Sequence, residues 1–124
     1  MNDDSAGNGP ANGSGASNDR AGRIRELNDA MRKNLAGRVL ATIGVRALGT
    51  WRLLKVLEAV RDFDAFDRGN DPYGEHDFGT FELFGEQLIW KMDYYDRALS
   101  GGSPDPADPE VTTRVLTVML AEEY

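Results

Sequence analysis

Apolar and polar positions along the chain follow helical spacing in some segments and strand alternation in others. Over residues 20–35 the apolar positions recur every three or four residues, as on one face of a helix. Asp19 can cap the start of this helix and Gly37 can stop it. The helical stripe consists of Ile24, Leu27, Met31 and Leu35.

The segment 38–45 is short and rich in β-branched residues, and its apolar side chains occupy alternate positions, which predicts a strand. A second helix should run from a cap at Thr50 to Asp64 and supply much of the core. Its apolar positions cover a wide face, so we assign Trp51 and Leu54 to the core rather than to a ligand site. The apolar set is Trp51, Leu53, Leu54, Val56, Leu57 and Val60.

Residues 78–95 read as a β-hairpin whose turn is Phe84-Gly85 or Gly85-Glu86. Either turn keeps the same two faces, because the two registers differ by two residues. The core face takes Phe81, Leu83, Leu88, Trp90, Met92 and Tyr94. We call the opposite side the outer face, and its mixture of apolar and polar groups resembles a binding surface. The predicted binding residues there are Phe78, Phe84, Ile89, Lys91 and Tyr95.

The last segment, 110–123, is preceded by a helix-start signal, in which Asp108 is the cap and Pro109 takes the first helical position. We predict a helix, with a strand as the alternative because the segment is rich in β-branched residues. The element order is then α-β-α-β-β-α. This order indicates an α+β fold with a three-stranded, mainly antiparallel sheet and helices packed on one face.

Composition limits the domain and its setting. Residues 1–19 are mostly Gly, Asn, Ser, Ala and Asp, which predicts a disordered tail before a single α+β domain over 20–124. The tail lacks the pattern of a secretory signal, and no apolar run reaches the roughly 18 residues that span a bilayer. We therefore expect a cytoplasmic protein without membrane contact.

Charge is divided unevenly along the chain, which has a net charge of −7. Residues 20–55 carry nine basic and two acidic residues, whereas 56–124 carry five basic and sixteen acidic residues. Either the two halves fold against each other, or the surface is bipolar and steers a charged partner. We do not expect nucleic-acid binding, since the acidic half would repel phosphates. The oligomeric state stays open.

The one histidine is the main candidate for chemistry. His76 precedes the first hairpin strand, and with Asp93, Tyr95 and Glu75 it could form an acid/base or metal-assisted hydrolytic site. Because the chain has one histidine, no cysteine and no EF-hand spacing around Asp71, we expect no metal site and no cofactor. The alternative is structural, since the Asn-Asp-Pro-Tyr-Gly run before His76 is turn chemistry that a histidine can lock.

Four segments occur in a fixed order: GEHDFG (74–79), DYYDRAL (93–99), SPDPADP (103–109) and TRVLTVMLAEEY (113–124). Together they resemble a family of short bacterial proteins of unknown function, often carried on plasmids or other mobile elements. The resemblance covers roughly residues 23–124. It implies a bacterial cytoplasmic setting and an accessory role, and it assigns no catalytic residue.

These observations favour a small non-enzymatic domain that binds a protein partner through the outer face of the 78–95 hairpin. Two alternatives stay open. One is a hydrolase-like or metal-assisted enzyme centred on His76, and the other is an acidic decoy that mimics nucleic acid.

Overall fold

The computed structural model describes residues 15–124, so most of the predicted tail lies outside the described residues. Helix α1 spans Gly15–Asn34 and begins five residues before the predicted start at Arg20. Asp19 therefore lies inside the helix, and the prediction that it caps the helix was wrong. No Pro interrupts the segment between Gly15 and Arg20, so the helix can extend through it. The helix ends where the chain takes positive φ at Leu35 and Gly37.

The predicted helix is present, but the strand predicted over 38–45 ends at Ala41, and residues 43–45 belong to a helical turn instead. Strand β1 spans Arg38–Ala41, a single helical turn α2 spans Ile43–Arg46, and helix α3 spans Thr50–Asp62. The cap of α3 is Gly49, with φ of 99°, rather than the predicted Thr50, which is the first helical residue. Gly49 fits because a side chain is disfavoured at that φ.

The prediction that Trp51 and Leu54 belong to the core was wrong. Val56 and Val60 of α3 are fully buried, whereas Trp51 is 62% exposed and Leu54 is 55% exposed. One face of a helix buries a stripe spaced at three and four residues, and Leu53 and Leu57 complete that stripe here. Trp51 and Leu54 lie outside the stripe and face away from the core.

The hairpin has the predicted faces and one of the two predicted turns. Strand β2 spans Phe78–Leu83 and β3 spans Glu86–Tyr95. Leu83 pairs with Glu86, so the turn is Phe84-Gly85. Both turn residues have positive φ, 56° and 76°, as a type I′ turn requires.

The last segment is a strand, not the predicted helix. Asp108 accepts a hydrogen bond from the amide of Glu110, but the helical turn that it caps, Pro109–Val111, lasts three residues. Strand β4 then spans Thr113–Leu120 and is buried on both faces. Its β-branched and apolar side chains suit a strand in the middle of a sheet better than a helix with one buried face.

The sheet therefore has four strands rather than three, in the order β1-β4-β3-β2. β1 is parallel to β4, while β3 is antiparallel to both of its neighbours, β4 and β2, so the sheet is mixed. The α+β class is confirmed. The helices and the sheet enclose one core, which is made by Met31, Val45, Val56, Val60, Phe63, Leu88, Trp90, Met92, Leu116 and Val118.

A short C-terminal turn, Ala121–Glu123, follows β4 and lies against β3. The carboxylate of Glu123 accepts hydrogen bonds from the Thr42 hydroxyl at 2.6 Å and the Gly44 amide at 3.0 Å, which holds the turn to the start of α2. No helix within residues 15–124 is long and apolar enough to cross a membrane.

Candidate functional site

His76 lies against helix α1, at the end of the loop 63–77. Its Nδ1 is 2.9 Å from Oδ1 of Asp29, and its Nε2 is 3.6 Å from Oδ2 of Asp71. Since a carboxylate only accepts hydrogen bonds, Nδ1 carries a proton and donates a hydrogen bond to Asp29. The imidazole also stacks on the ring of Phe66, with centroids 3.7 Å apart and planes within 2°.

The backbone at His76 is held as tightly as its ring. The residue has a φ of 55°, and its amide donates to Oδ1 of Asp71 at 3.0 Å. A left-handed conformation is uncommon for residues other than glycine, and histidine is among those that tolerate it best. The carboxylate of Asp71 therefore fixes the backbone, while Asp29 and Phe66 fix the orientation of the ring.

Arg32 connects this histidine to the end of α3. Its side chain is almost fully buried, and its Nη1 donates to the carbonyls of Val60, Arg61 and Phe63 at 2.9–3.0 Å. These carbonyls lie at the C-terminal end of α3, where helical carbonyls run out of partners from a following turn, and Val60 alone of the three also accepts a bond from the Phe63 amide at 3.3 Å. Nη2 of Arg32 donates to the same Oδ1 of Asp29 that His76 contacts, at 3.2 Å.

A second buried polar group, Asn28, lies one turn earlier on α1. Its Nδ2 donates to the carbonyl of Glu75 at 3.0 Å and to the hydroxyl of Tyr94 at 2.8 Å. Its Oδ1 accepts from Nε of Arg114 at 2.7 Å, and Arg114 also donates to the carbonyl of Pro106. One buried amide thereby joins α1, the loop, β3 and β4.

Four side chains of α1 thus bind the loop 63–77 or the end of α3, and we call them the α1 clamp. Arg25 completes the set by donating to the carbonyl of Gly74 at 2.8 Å. The members of the clamp are Arg25, Asn28, Asp29 and Arg32. One signal for the clamp was present in the sequence, because Asn28 and Arg32 follow the apolar Ile24 at intervals of four residues and so share its face of the helix.

The carboxylates near the loop are partly desolvated. Burial, with a contribution from Asp77, raises the pKa of Glu75 above its ordinary value. Burial, with contributions from Asp71 and Asp93, likewise raises the pKa of Asp77. Burial also raises the pKa of the Tyr94 phenol. Raised pKa values of this kind occur at acid/base sites, and they also arise where several acids are packed into one loop.

The structure does not bring the four predicted catalytic residues together. Glu75 and His76 lie with the α1 clamp, whereas Asp93 and Tyr95 lie on the outer face of β3, opposite Val115 and Thr113. Asp93 pairs with Nζ of Lys91 at 2.5 Å. Among the hydrogen bonds of residues 15–124, none joins His76 to Asp93 or Tyr95. Over the same residues no group of three potential ligands is placed to hold a metal ion.

The five predicted binding residues do not form one exposed surface either. Ile89 is buried opposite Met119, and the half-buried ring of Phe78 lies 6.1 Å from that of Tyr124. Lys91 is occupied by its pair with Asp93, and Tyr95 is 37% exposed. Phe84 lies in the hairpin turn, away from the other four.

Phe84 instead packs against the start of α3. Its ring centroid is 5.5 Å from that of Trp51, and the guanidinium of Arg52 lies 5.1 Å above it. We call Trp51, Leu54 and Phe84 the α3–turn patch. The patch borders a cleft of about 360 Å³ between α3 and the hairpin turn, and the cleft is lined by Trp51, Lys55, Glu58, Ala59, Asp62, Leu83 and Phe84. Sequence reasoning missed this surface because it assigned Trp51 and Leu54 to the core.

Residues 41–123 match the model of one protein family, whose description is Protein of unknown function (DUF3768). The resemblance to an uncharacterised family is therefore confirmed, although the match begins at residue 41 rather than near residue 23. It includes the sheet from the end of β1, the loop with His76 and the α3–turn patch, while α1 precedes it. No curated protein and no solved structure matches the chain.

Proposed function

We propose that this chain, which belongs to the DUF3768 family, is a non-enzymatic domain that binds a protein partner through the α3–turn patch. The observation that carries the proposal is the exposure of two large apolar side chains of α3. Trp51 is 62% exposed and its ring contacts that of Phe84, and Leu54, three residues further along the helix, is 55% exposed. Scattered exposed apolar residues are ordinary, but aromatic groups clustered around a cleft mark interfaces.

The composition around the cleft supports a protein partner. Trp and Arg are the residue types that most often dominate binding energy at interfaces, and Trp51 and Arg52 lie side by side here. Charged groups form the rim, where Nζ of Lys55 lies 6.0 Å from the Trp51 ring and 3.5 Å from a carboxylate oxygen of Glu58. An apolar centre with a polar, mixed-charge rim suits a partner that inserts an apolar side chain into the cleft.

The patch replaces the outer face as the proposed binding surface. The outer face keeps little accessible apolar area, because Ile89 is buried and Phe78 is half-buried with its ring beside that of Tyr124. Of the residues predicted to bind, the proposal keeps Phe84 and adds Trp51 and Leu54. The rings of Trp51 and Phe84 are already in contact, so a partner would meet a surface that needs little ordering.

The contacts of His76 support a structural role. A catalytic histidine needs a reacting group within reach, whereas this ring donates to Asp29, approaches Asp71 and is covered on one side by Phe66. Several carboxylates lie beside basic groups, as in the pairs Arg20–Asp105 and Arg61–Asp62. This mixing of positive and negative charges argues against a decoy of nucleic acid, which would need a continuous acidic surface.

Capture from a lysate of the source organism tests the proposal. The tagged full chain is compared with the double variant Trp51→Ser, Phe84→Asn and with the control Tyr73→Ser, whose ring is 78% exposed on the loop. Asn is chosen at 84 because it tolerates positive φ and precedes Gly85, so the type I′ turn is preserved.

The expected result is a protein partner that wild type and Tyr73→Ser capture equally and that the double variant loses. Unfolding curves of all three proteins establish that the loss is not caused by misfolding. Equal capture of the same partner by the double variant would refute the α3–turn patch as the binding surface.

A further inference from the structure

Strand β2 forms one edge of the sheet, and within residues 15–124 it has a neighbouring strand on one side only. It is the last member of the strand order β1-β4-β3-β2 and pairs with β3 alone. The free side of an edge strand presents backbone amides and carbonyls that no neighbouring strand satisfies. The edge of β2 is therefore a place where a further strand can pair.

The register of the hairpin identifies the backbone groups that face away from β3. Leu83 and Glu86 flank the type I′ turn and bond to each other, and bonded positions recur at every second residue along β2. The carbonyl of Asp77 continues this alternation, since it accepts from the amide of Met92 at 2.9 Å. The backbone groups that point outwards therefore belong to Phe78, Thr80 and Glu82.

β2 lacks most of the features by which edge strands avoid pairing. Edges are commonly protected by shortness, by lysine or proline, or by a bulge. β2 has six residues in continuous register with β3, and it contains neither lysine nor proline. Its one charged side chain is that of Glu82, whereas the opposite edge, β1, is only four residues long. Of the two edges, β2 is thus better suited to pairing.

The cleft of the α3–turn patch lies beside this edge. Helix α3 runs alongside β2, because Trp51 near its start contacts Phe84, while Phe63 just after its end lies against Gly79. The cleft, of about 360 Å³, is lined by one face of α3, by Leu83 of β2 and by the turn. No residue of β1, β3 or β4 takes part in this lining. The cleft is therefore a groove between α3 and the edge strand.

We propose that the partner binds as an extended segment, which adds a strand to the edge of β2 and places an apolar side chain in the cleft. This inference rests on the proposed function, because it names the kind of partner that the α3–turn patch would bind. Side chains of a strand alternate between the two faces of the sheet, so every second residue of the segment points towards α3. Main-chain hydrogen bonds to Thr80 and Glu82 supply affinity, and the cleft selects the side chain.

The opposite face of the edge indicates the residues between those apolar positions. The side chains of Thr80 and Glu82 are exposed on that face. A basic residue opposite Glu82 stabilises strand pairing, whereas an acidic residue there is repelled. The segment that fits is therefore one in which apolar residues alternate with threonine and with lysine or arginine.

Synthetic peptides of about eight residues, a common strand length, test the proposal on the ¹⁵N-labelled full chain. In the probe pool, valine, leucine or phenylalanine alternates with threonine or lysine. One control pool has the same residues in separate apolar and polar blocks, and a second carries N-methyl groups that remove the backbone donors. The readout is the rate at which the amides of Thr80 and Glu82 exchange hydrogen with water.

In the free chain we expect these two amides to exchange faster than those of Gly79 and Phe81, which donate to β3. At a probe concentration about ten times the dissociation constant, their exchange should slow about tenfold. No slowing by the probe pool, or equal slowing by either control pool, would overturn the proposal. Protection in the free chain that rises with protein concentration would also overturn it, because a second copy would then occupy the edge.

A proline at the edge separates this proposal from the proposed function. Thr80→Pro removes an outward amide at a position where an edge strand tolerates proline, and the control Thr80→Val keeps the amide. We expect folded Thr80→Pro to lose both the probe peptides and the captured partner, and Thr80→Val to keep both. The peptide experiment on the wild-type chain decides the question if Thr80→Pro does not fold.

The two proposals fail in different ways in the capture experiment. Capture of the partner by folded Thr80→Pro, but not by the Trp51→Ser, Phe84→Asn variant, would overturn strand addition and leave the α3–turn patch as the binding surface. Capture of the partner by the double variant would refute the patch, and strand addition with it.

Discussion

At the scale of single residues, Gly79 is the glycine of the described residues at which an added Cβ would meet its neighbours most closely. An added Cβ would lie 2.4 Å from Nε1 of Trp90 and 2.7 Å from the ring of Phe63. Both of those side chains are buried in the core, and the two rings meet edge to face at 5.7 Å. The indole of Trp90 therefore requires a strand position opposite it that has no side chain.

Gly79→Ala should lower the free energy of unfolding by about 1–3 kcal/mol, because neither aromatic ring can move away without disturbing the core. Urea denaturation followed by Trp fluorescence measures the change. The control is Gly102→Ala, where an added Cβ meets nothing within 4 Å, and it should change the value by less than about 0.5 kcal/mol. Equal values for the two variants would contradict the packing described for Trp90.

The raised pKa of Glu75 has a defined consequence for stability against pH. Burial favours the protonated Glu75 carboxyl in the folded state. The stability that this group contributes to the fold is therefore fully present below its unfolded pKa, near 4.5, and is lost as the pH rises through its higher folded pKa. Glu75→Gln removes this loss of stability, because glutamine cannot ionise. The variant should therefore be more stable than wild type at pH 7, and its advantage should vanish near pH 4.

Thermal unfolding of both proteins between pH 4 and pH 7 measures this difference. Glu110→Gln, on an exposed residue, serves as the control and should show no such trend. An advantage of Glu75→Gln that is independent of pH would mean that burial of charge is not its cause.

At the scale of elements, the α1 clamp attaches a long loop to the rest of the fold through polar contacts. Arg32 satisfies three carbonyls at the end of α3, and Asp29 links it to His76. Such contacts are costly to break one at a time, because each leaves a buried partner without its hydrogen bond.

Arg32→Met should lower the free energy of unfolding by about 3 kcal/mol, since it leaves Asp29 and the carbonyls of α3 partly unsatisfied. Arg23→Met, on the exposed side of the same helix, removes only a surface pair with Glu26 and should cost about 0.5 kcal/mol or less. Hydrogen exchange should also show faster opening of the loop 63–77 in Arg32→Met. An unchanged loop would contradict the linkage between Arg32 and His76.

The elements also show what the sequence could predict and what it could not. The hairpin followed from alternation, because one face of β3 is apolar along its length and Gly85 marks the turn. The last strand could not be predicted in this way. The Asp108-Pro109-Glu110 sequence starts a helical turn locally, whereas burial on both faces makes the residues after it a strand. Burial of that kind depends on neighbouring strands, which local patterns do not contain.

The candidate site was predictable only in part for a similar reason. His76 was recognised as either a catalyst or a structural lock, but its partners Asp29 and Phe66 come from other segments. Trp51 and Leu54 were misassigned because α3 has more apolar positions than one face can bury. The surplus apolar positions were the available signal for an exposed surface.

At the scale of the whole molecule, the polar network and the proposed binding surface lie in different places. The α1 clamp and His76 stabilise the fold, while the α3–turn patch is proposed to bind a partner. A change at His76 should therefore affect stability without affecting binding, and a change at Trp51 should do the reverse.

The most direct test of this division is partner capture by His76→Gln, measured at a temperature where unfolding curves show the variant to be folded. The variant loses the stacking on Phe66 and the bond to Asp29, so its midpoint of thermal unfolding should fall. We predict that it nevertheless captures the same partner as wild type in the same amount. Loss of capture by the folded variant would contradict the account and place His76 in the functional site.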